Sequence, residues 1–190
     1  KSYQSKRKTG KERGRKESKR YKEKEKSWKE KNYEVAMRKT SSWVSSAAAT
    51  LLEHISNRTY ILIEQYRLPI DKNELGLIAG ISDENIPTNE LIQKEVREEV
   101  WRIATASQYL TTVASSAWLT NEEVDLYHSL SDWEFLWQQL WEDEDIKIHE
   151  IPIQNIDEYL MHASEDLGLR VWSRIDTTLR YIRAWHGAKI

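Results

Sequence analysis

The sequence predicts a mixed α/β domain behind a basic N-terminal arm, and three observations carry that prediction. Runs rich in β-branched and aromatic residues alternate with helical patterns, an order that points to a sheet packed with helices. The charge is divided: residues 1–32 hold 15 Lys/Arg against 5 Glu, and the rest hold 14 against 26 Asp/Glu. A helical apolar stripe stands at Trp133, Leu136, Trp137, Leu140 and Trp141, spaced i, i+3, i+4, i+7 and i+8.

At 190 residues, with 39% of them apolar, the chain is the size of one domain with a core. No run of about 18 apolar residues exists, which excludes a membrane-spanning helix and leaves no expected membrane partner. The absence of cysteine excludes disulfides, thiolate metal sites and a catalytic thiol, and fits an intracellular, reducing compartment. The first residue is Lys1 rather than Met, as in a processed chain or a fragment.

Residues 1–32 have almost no aliphatic side chains, so the expectation is disorder or a fraying, solvated helix, with the folded domain over 33–190. Tyr3, Tyr21 and Trp28 lie among the basic residues as possible stacking groups for RNA. The arm could equally fold onto the acidic body or serve as a solubilising tail.

Along the body, alanine-rich Ser45–Leu52 leads to a turn-like His54–Asn57. Arg58–Arg67 reads as a strand, broken by Pro69 and Asp71–Asn73. Leu75–Ile81 is a short apolar run carrying Gly76 and Gly80. After a loop, Thr88 or Asn89 is expected to cap a helix running to about Val100. Residues 103–114, 123–130 and Ile146–Ile151 read as strands, and Gln154–Ser164 and Ile175–Trp185 as helices. The five histidines show no metal-ligand spacing and read as structural or surface groups.

Chemistry concentrates in Lys94-Glu-Val-Arg-Glu-Glu-Val-Trp101. Glu95, Glu98 and Glu99 stand at i, i+3 and i+4, which places three carboxylates on one helix side, beside the apolar row Ile92, Val96 and Val100. Clustered carboxylates repel unless a cation compensates, and Mg²⁺ prefers oxygen ligands. The alternative is a solvated face with local ion pairs.

This segment resembles the Nudix box, in which a Gly is followed after five residues by Glu and, seven later, by Arg-Glu-apolar-x-Glu-Glu-x-Gly. Gly80, Ile86, Lys94, Glu95, Val96, Glu98, Glu99 and Trp101 fall at its spacing. Gln65-Tyr66-Arg67, Ile78-Ala79-Gly80 and Leu119-Thr-Asn-Glu122 are similar to flanking motifs of the ADP-ribose pyrophosphatase branch. The resemblance implies a Nudix-type α/β/α sandwich with a mixed sheet, behind a basic N-terminal extension. It implies Mg²⁺ (or Mn²⁺) on the Ala79 carbonyl, Glu95, Glu99 and Glu98, with Glu122 or Glu98 accepting the proton of an attacking water. Arg67 would bind substrate phosphate, or else make a strand-end salt bridge. Trp43 or Trp118 could stack on adenine.

Four departures mark the box: Ile86 in place of its first Glu, Lys94 for Arg, Trp101 for the final Gly, and Gly76 where the branch has Glu. The expected function is therefore Mg-dependent hydrolysis of a nucleoside diphosphate linked to another moiety, ADP-ribose or a nucleotide sugar by resemblance. The alternative is a weakened or inactive module serving as an RNA-bound or structural subunit of a mitochondrial ribosome or RNA-processing assembly. Hydrolysis at the 5′ end of RNA ranks third. The location is then the mitochondrial matrix or cytoplasm, and a homodimer or larger assembly is an expectation by analogy.

Overall fold

The computed structural model describes residues 17–24, 30–37, 45–82, 86–132 and 145–187. The strands are β1 (Glu17–Lys24), β2 (Glu30–Met37), β3 (Ser45–His54), β4 (Thr59–Arg67), β5 (Lys72–Gly76), β6 (Ile78–Ile81), β7 (Ala106–Ala114), β8 (Glu122–Ser131), β9 (Ile146–Pro152) and β10 (Arg170–Val171). The helices are α1 (Thr88–Val100), α2 (Ile156–Glu165) and α3 (Ser173–Gly187).

β3 and β4 form a hairpin that pairs only beside its turn, Leu52–His54 against Thr59–Ile61. Beyond that the two strands diverge, and one continuous segment fills the gap between them. Its first half, β5, runs antiparallel to β4, with Ile63 opposite Gly76. Its second half, β6, runs antiparallel to β3, with Ala49 opposite Ala79. The sheet extends outward through β8, parallel to β3, and β7, antiparallel to β8. On the other side β9 joins β4 and β10 joins β5.

Side chains alternate across a strand, so each strand feeds two cores. Ala49, Leu51, Leu62, Leu75, Leu77 and Leu126 face α2 and α3, where Ile156, Ala163, Ile175, Leu179 and Ile182 are buried. Ala48, Leu52, Ile61, Ile63, Ile78 and Tyr127 meet Leu91, Ile92, Val96 and Val100 of α1. Helices thus cover both faces of a mixed sheet, the α/β/α sandwich that the sequence implied. No helix among the described residues is long and apolar enough to cross a membrane.

Several local expectations need correction. Within the basic segment, Glu17–Lys24 forms a strand paired antiparallel with β2 (Glu30–Met37). The register sets Arg20 opposite Glu34, Glu23 opposite Lys31 and Lys24 opposite Glu30. β2 also reaches the body, where the Ala36 N–H donates to the Leu119 carbonyl at 2.7 Å. Thr88 does not cap α1; its hydroxyl donates to Asp125 Oδ2 at 2.9 Å, and the Glu90 and Leu91 N–H groups donate to the Pro87 carbonyl instead. The Trp133–Trp141 stripe, Trp43, Trp28 and Tyr3 lie outside the described residues.

A polar knot joins β4, β5, β9 and α2. The Glu64 carboxylate accepts from Asn73 Nδ2 at 2.8 Å and from buried His149 Nε2 at 2.8 Å, while Lys147 Nζ lies at 3.2 Å. His149 Nδ1 completes the chain with the Tyr159 hydroxyl at 2.5 Å. Burial pushes the Glu64 carboxyl pKa up, but the hydrogen bonds from Asn73, His149 and Lys147 outweigh it and hold the pKa below its ordinary value. A carboxyl whose pKa is lowered by folding stabilises the protein above its unfolded pKa, and that contribution is lost as the pH falls through the folded value. Glu64→Gln is therefore expected to unfold at lower urea concentration than the parent at pH 7. The gap should close on acidification below about pH 4, the unfolded carboxylate range. A gap independent of pH would assign the loss to packing rather than to charge.

Candidate functional site

The splay of β3 and β4 exposes one stretch of backbone to α1. The Ala79 N–H does not enter the β3 ladder; it donates to Glu99 Oε2 at 3.1 Å. A strand residue projects its N–H and C=O on the same edge, so the Ala79 carbonyl also leaves on the α1 side. At Gly80, opposite Ala48, a Cβ would lie 2.2 Å from Glu95 Oε1. Glycine at this position is therefore what lets the Glu95 carboxylate rest against the strand.

The helix is held in place by its apolar row. Leu91, Ile92, Val96 and Val100 are buried, each contributing about 2 kcal/mol. Glu95 and Glu99 sit at the border of that row and are half-buried. Glu98 diverges from them: its side chain is 41% exposed and lies 3.9 Å from Lys94 Nζ, an ion pair one turn back. The helix sets the three carboxylates along one side, with Glu95 and Glu99 half-buried and Glu98 exposed.

The structure thus brings together Ala79, Glu95 and Glu99, with Glu98 beside them at the surface. Among the described residues, no group of three or more His, Asp or Glu side chains is arranged to hold a metal ion. Two carboxylates and a backbone carbonyl are nonetheless all hard oxygen donors. That donor chemistry suits Mg²⁺, which needs few protein ligands and keeps waters in its shell.

Arg67 and Glu122 stand elsewhere. Arg67 Nε donates to Glu74 Oε1 at 3.1 Å, the strand-end ion pair that was the alternative to phosphate binding. Glu122 opens β8 opposite Ser45, whereas Ala79 is opposite Ala49, four residues or about 13 Å away along β3. Glu122 alternates in phase with Val124 and Leu126, on the face covered by α2 and α3, and Ser115 Oγ donates to its Oε1 at 2.5 Å. Trp118, in the same loop, is 85% exposed.

Two arginines here carried no signal in the sequence. Arg102 is 3% exposed and ion-paired with Glu150 of β9, which fastens the chain leaving α1. Arg174, second residue of α3, lies 4.6 Å over the Trp172 ring and donates through Nη2 to the Ala114 carbonyl at 3.4 Å. Burial lowers its pKa, opposed by the charges of Glu122 and then Glu74. Both partners are distant in sequence, so neither spacing nor composition could have found them.

No protein-family model matches the sequence, and the comparison with curated proteins finds no match. A solved structure described as the crystal structure of an ADP compounds hydrolase is similar in fold, with a TM-score of 0.73 at 18% identity, over 95% of this chain and 91% of that one. The fold is Nudix-like.

Gly80→Ala tests the packing of the site directly. The three atoms nearest the added methyl all belong to the flexible Glu95 side chain, so the fold is expected to survive with a loss of about 1 kcal/mol. Glu95 must swing away from the strand. Chemical denaturation with a crystal structure of the variant would check both; Glu95 unmoved against a methyl at residue 80 would refute the packing described.

Proposed function

We propose that the protein is a Mg²⁺-dependent hydrolase acting on a diphosphate linkage in an ADP-containing compound. One observation carries this reading: Glu95 and Glu99, fixed on a buried helix, converge on the Ala79–Gly80 backbone at the edge of β6. The fold likeness to an ADP compounds hydrolase supports the substrate class.

The Ala79 carbonyl, Glu95 and Glu99 would hold the cation. When bound, it neutralises the diphosphate charge and lowers the pKa of an attacking water. Glu98 reaches solvent next to the pair, where it takes the water's proton; Lys94 keeps its side chain near that position. The half-buried setting of Glu95 and Glu99 limits their movement, which preserves the geometry on which catalysis depends.

A second reading has its own support in the surroundings of the box. Ile86 packs into the α1 cluster, and Lys94 stands 53% exposed with Glu98 as its ion-pair partner, a setting without the brace that a bidentate arginine supplies. A protein that has kept the fold as an RNA-bound or assembly subunit would tolerate both.

The test is AMP release from ADP-ribose and nucleotide sugars, and phosphate release from 5′-triphosphate RNA, with and without Mg²⁺. Turnover with an ADP compound that requires Mg²⁺ and falls at least a hundredfold in Glu99→Gln, with unchanged circular dichroism, is the expected result. Full activity of that variant would sink the metal assignment. Silence across the panel from folded protein would favour the subunit reading.

A further inference from the structure

Glu95 and Glu99 follow Thr88, the first residue of α1, by seven and eleven positions. At about 100° per residue, both fall within about 20° of the line that Thr88 begins along the helix. One end of that line is the candidate site, where Glu95 lies against Gly80 and Glu99 accepts from the Ala79 N–H. The other end is held by a hydroxyl network on β7 and β8 that the proposed chemistry leaves unused.

Asp125 on β8 is the centre of this network. Its Oδ2 accepts from the Thr88 hydroxyl at 2.9 Å and its Oδ1 from the Thr112 hydroxyl at 2.6 Å. Each threonine has one proton to give, so each must accept from the phenol beside it. Tyr127 thus donates to Thr88 at 2.8 Å, and Tyr109 to Thr112 at 2.7 Å. The two phenol rings meet edge to face, with centroids 5.7 Å apart. Two parallel relays therefore end on one carboxylate.

A β-bulge makes this possible. The register shifts between Tyr109 and Thr111, which leaves Leu110 as an extra residue on β7. Tyr109 and Thr112 are three positions apart and would face opposite sides of a regular strand. The bulge turns both to the α1 side, opposite Tyr127 and Asp125. Asp125 and Gly80 both stand opposite Ala48, on its two flanks, so about 10 Å of sheet separates the two places where one helix line is held.

We propose that Asp125 is a positioning residue for the candidate site. Through Thr88 it pins the first turn of α1 to β7 and β8, which sets the rotation of the helix and hence the approach of Glu95 and Glu99 to Ala79–Gly80. Apolar contact is not directional, so Leu91, Ile92, Val96 and Val100 hold the helix to the sheet without fixing its rotation. A hydrogen bond to a carboxylate is directional, and roughly twice as strong as a neutral one.

Amide exchange on the ¹⁵N-labelled full chain reads the two ends of that line separately. The Leu91 amide, which donates to the Pro87 carbonyl, reports the first turn, and the Ala79 amide, which donates to Glu99, reports the site. Asp125→Ala and Thr88→Val are each expected to speed exchange at both amides by about tenfold. The Trp172 amide, bonded to the Leu75 carbonyl, should keep the parent rate, which separates the effect from global destabilisation. Thr88→Ser keeps the hydroxyl and should restore the parent rate at Ala79. The Asp125→Ala/Thr88→Val double variant should exchange no faster at Ala79 than Asp125→Ala alone, because the two residues act as one unit. If Asp125→Ala does not fold, Thr88→Val, which matches threonine in shape, decides. An Ala79 amide unmoved in Thr88→Val, an equal rise in Thr88→Ser, or additive effects in the double variant would overturn the proposal.

Turnover of an ADP compound gives a second arm, which rests on the hydrolase reading. Asp125→Ala and Thr88→Val should lower kcat by about tenfold with KM unchanged, and Thr88→Ser should match the parent. A raised KM with kcat unchanged would make Asp125 a substrate-binding residue and overturn the positioning role. If the parent turns over no substrate at all, the hydrolase reading fails and the Ala79 amide still decides.

Discussion

The divergence of β3 from β4 is the constraint on which the rest of the structure depends. A two-stranded hairpin that stayed paired would satisfy its own ladder and leave no place for residues 72–81. Here pairing stops after three residues on each strand, and the inserted segment must change partners midway, from β4 to β3. A segment that changes partners has backbone groups that neither ladder can use, and buried N–H groups must be satisfied. The Ala79 N–H finds the Glu99 carboxylate. The candidate site thus follows from how the sheet closes its own gap.

The same geometry sets what each position around Glu95 and Glu99 can hold. Gly80 is in contact with Glu95, and any side chain there would displace a carboxylate. Position 86 touches the apolar cluster under α1, where isoleucine packs as well as a longer polar residue would have to be solvated. Position 94 faces solvent, so lysine costs little in stability even though it forgoes the guanidinium fork.

Much of this was legible in the sequence, for reasons of period. The β-branched and aromatic run Thr59–Ile63 is buried on both faces and Ile92, Val96 and Val100 bury one helix face, so β4 and α1 were expected close to where they lie. Glu95, Glu99, Ala79 and Gly80 are brought together by one strand–loop–helix unit, which a local motif can encode. What escaped depends on partners far along the chain. The Thr88 hydroxyl goes to Asp125, 37 residues on, in preference to its own helix. Arg174 stacks on Trp172 and donates to the Ala114 carbonyl, 60 residues back, and the exposed Glu98 side chain lies 3.9 Å from Lys94 Nζ. The β1–β2 pairing was hidden for another reason: a strand polar on both sides has no hydrophobic alternation to read.

Trp101 shows how the surroundings absorb a residue that breaks a local rule. It ends α1 in the left-handed conformation, φ 53°, a region that favours glycine. A residue with a Cβ costs about 1–2 kcal/mol in that region. Against it stand four buried apolar residues of α1 at about 2 kcal/mol each, which would be lost if the helix ended differently. The Trp101 and Arg102 N–H groups both return to the Val96 carbonyl, so the turn keeps its hydrogen bonds. One residue later, buried Arg102 pairs with Glu150 and pins the exit of the helix to β9. Arg102 is buried while the Glu150 side chain is about a third exposed, so the pair anchors the chain from the Arg102 side. The left-handed turn is therefore imposed from both sides, by the packed helix before it and the anchored arginine after it. Glu95 and Glu99 keep their orientation without the glycine.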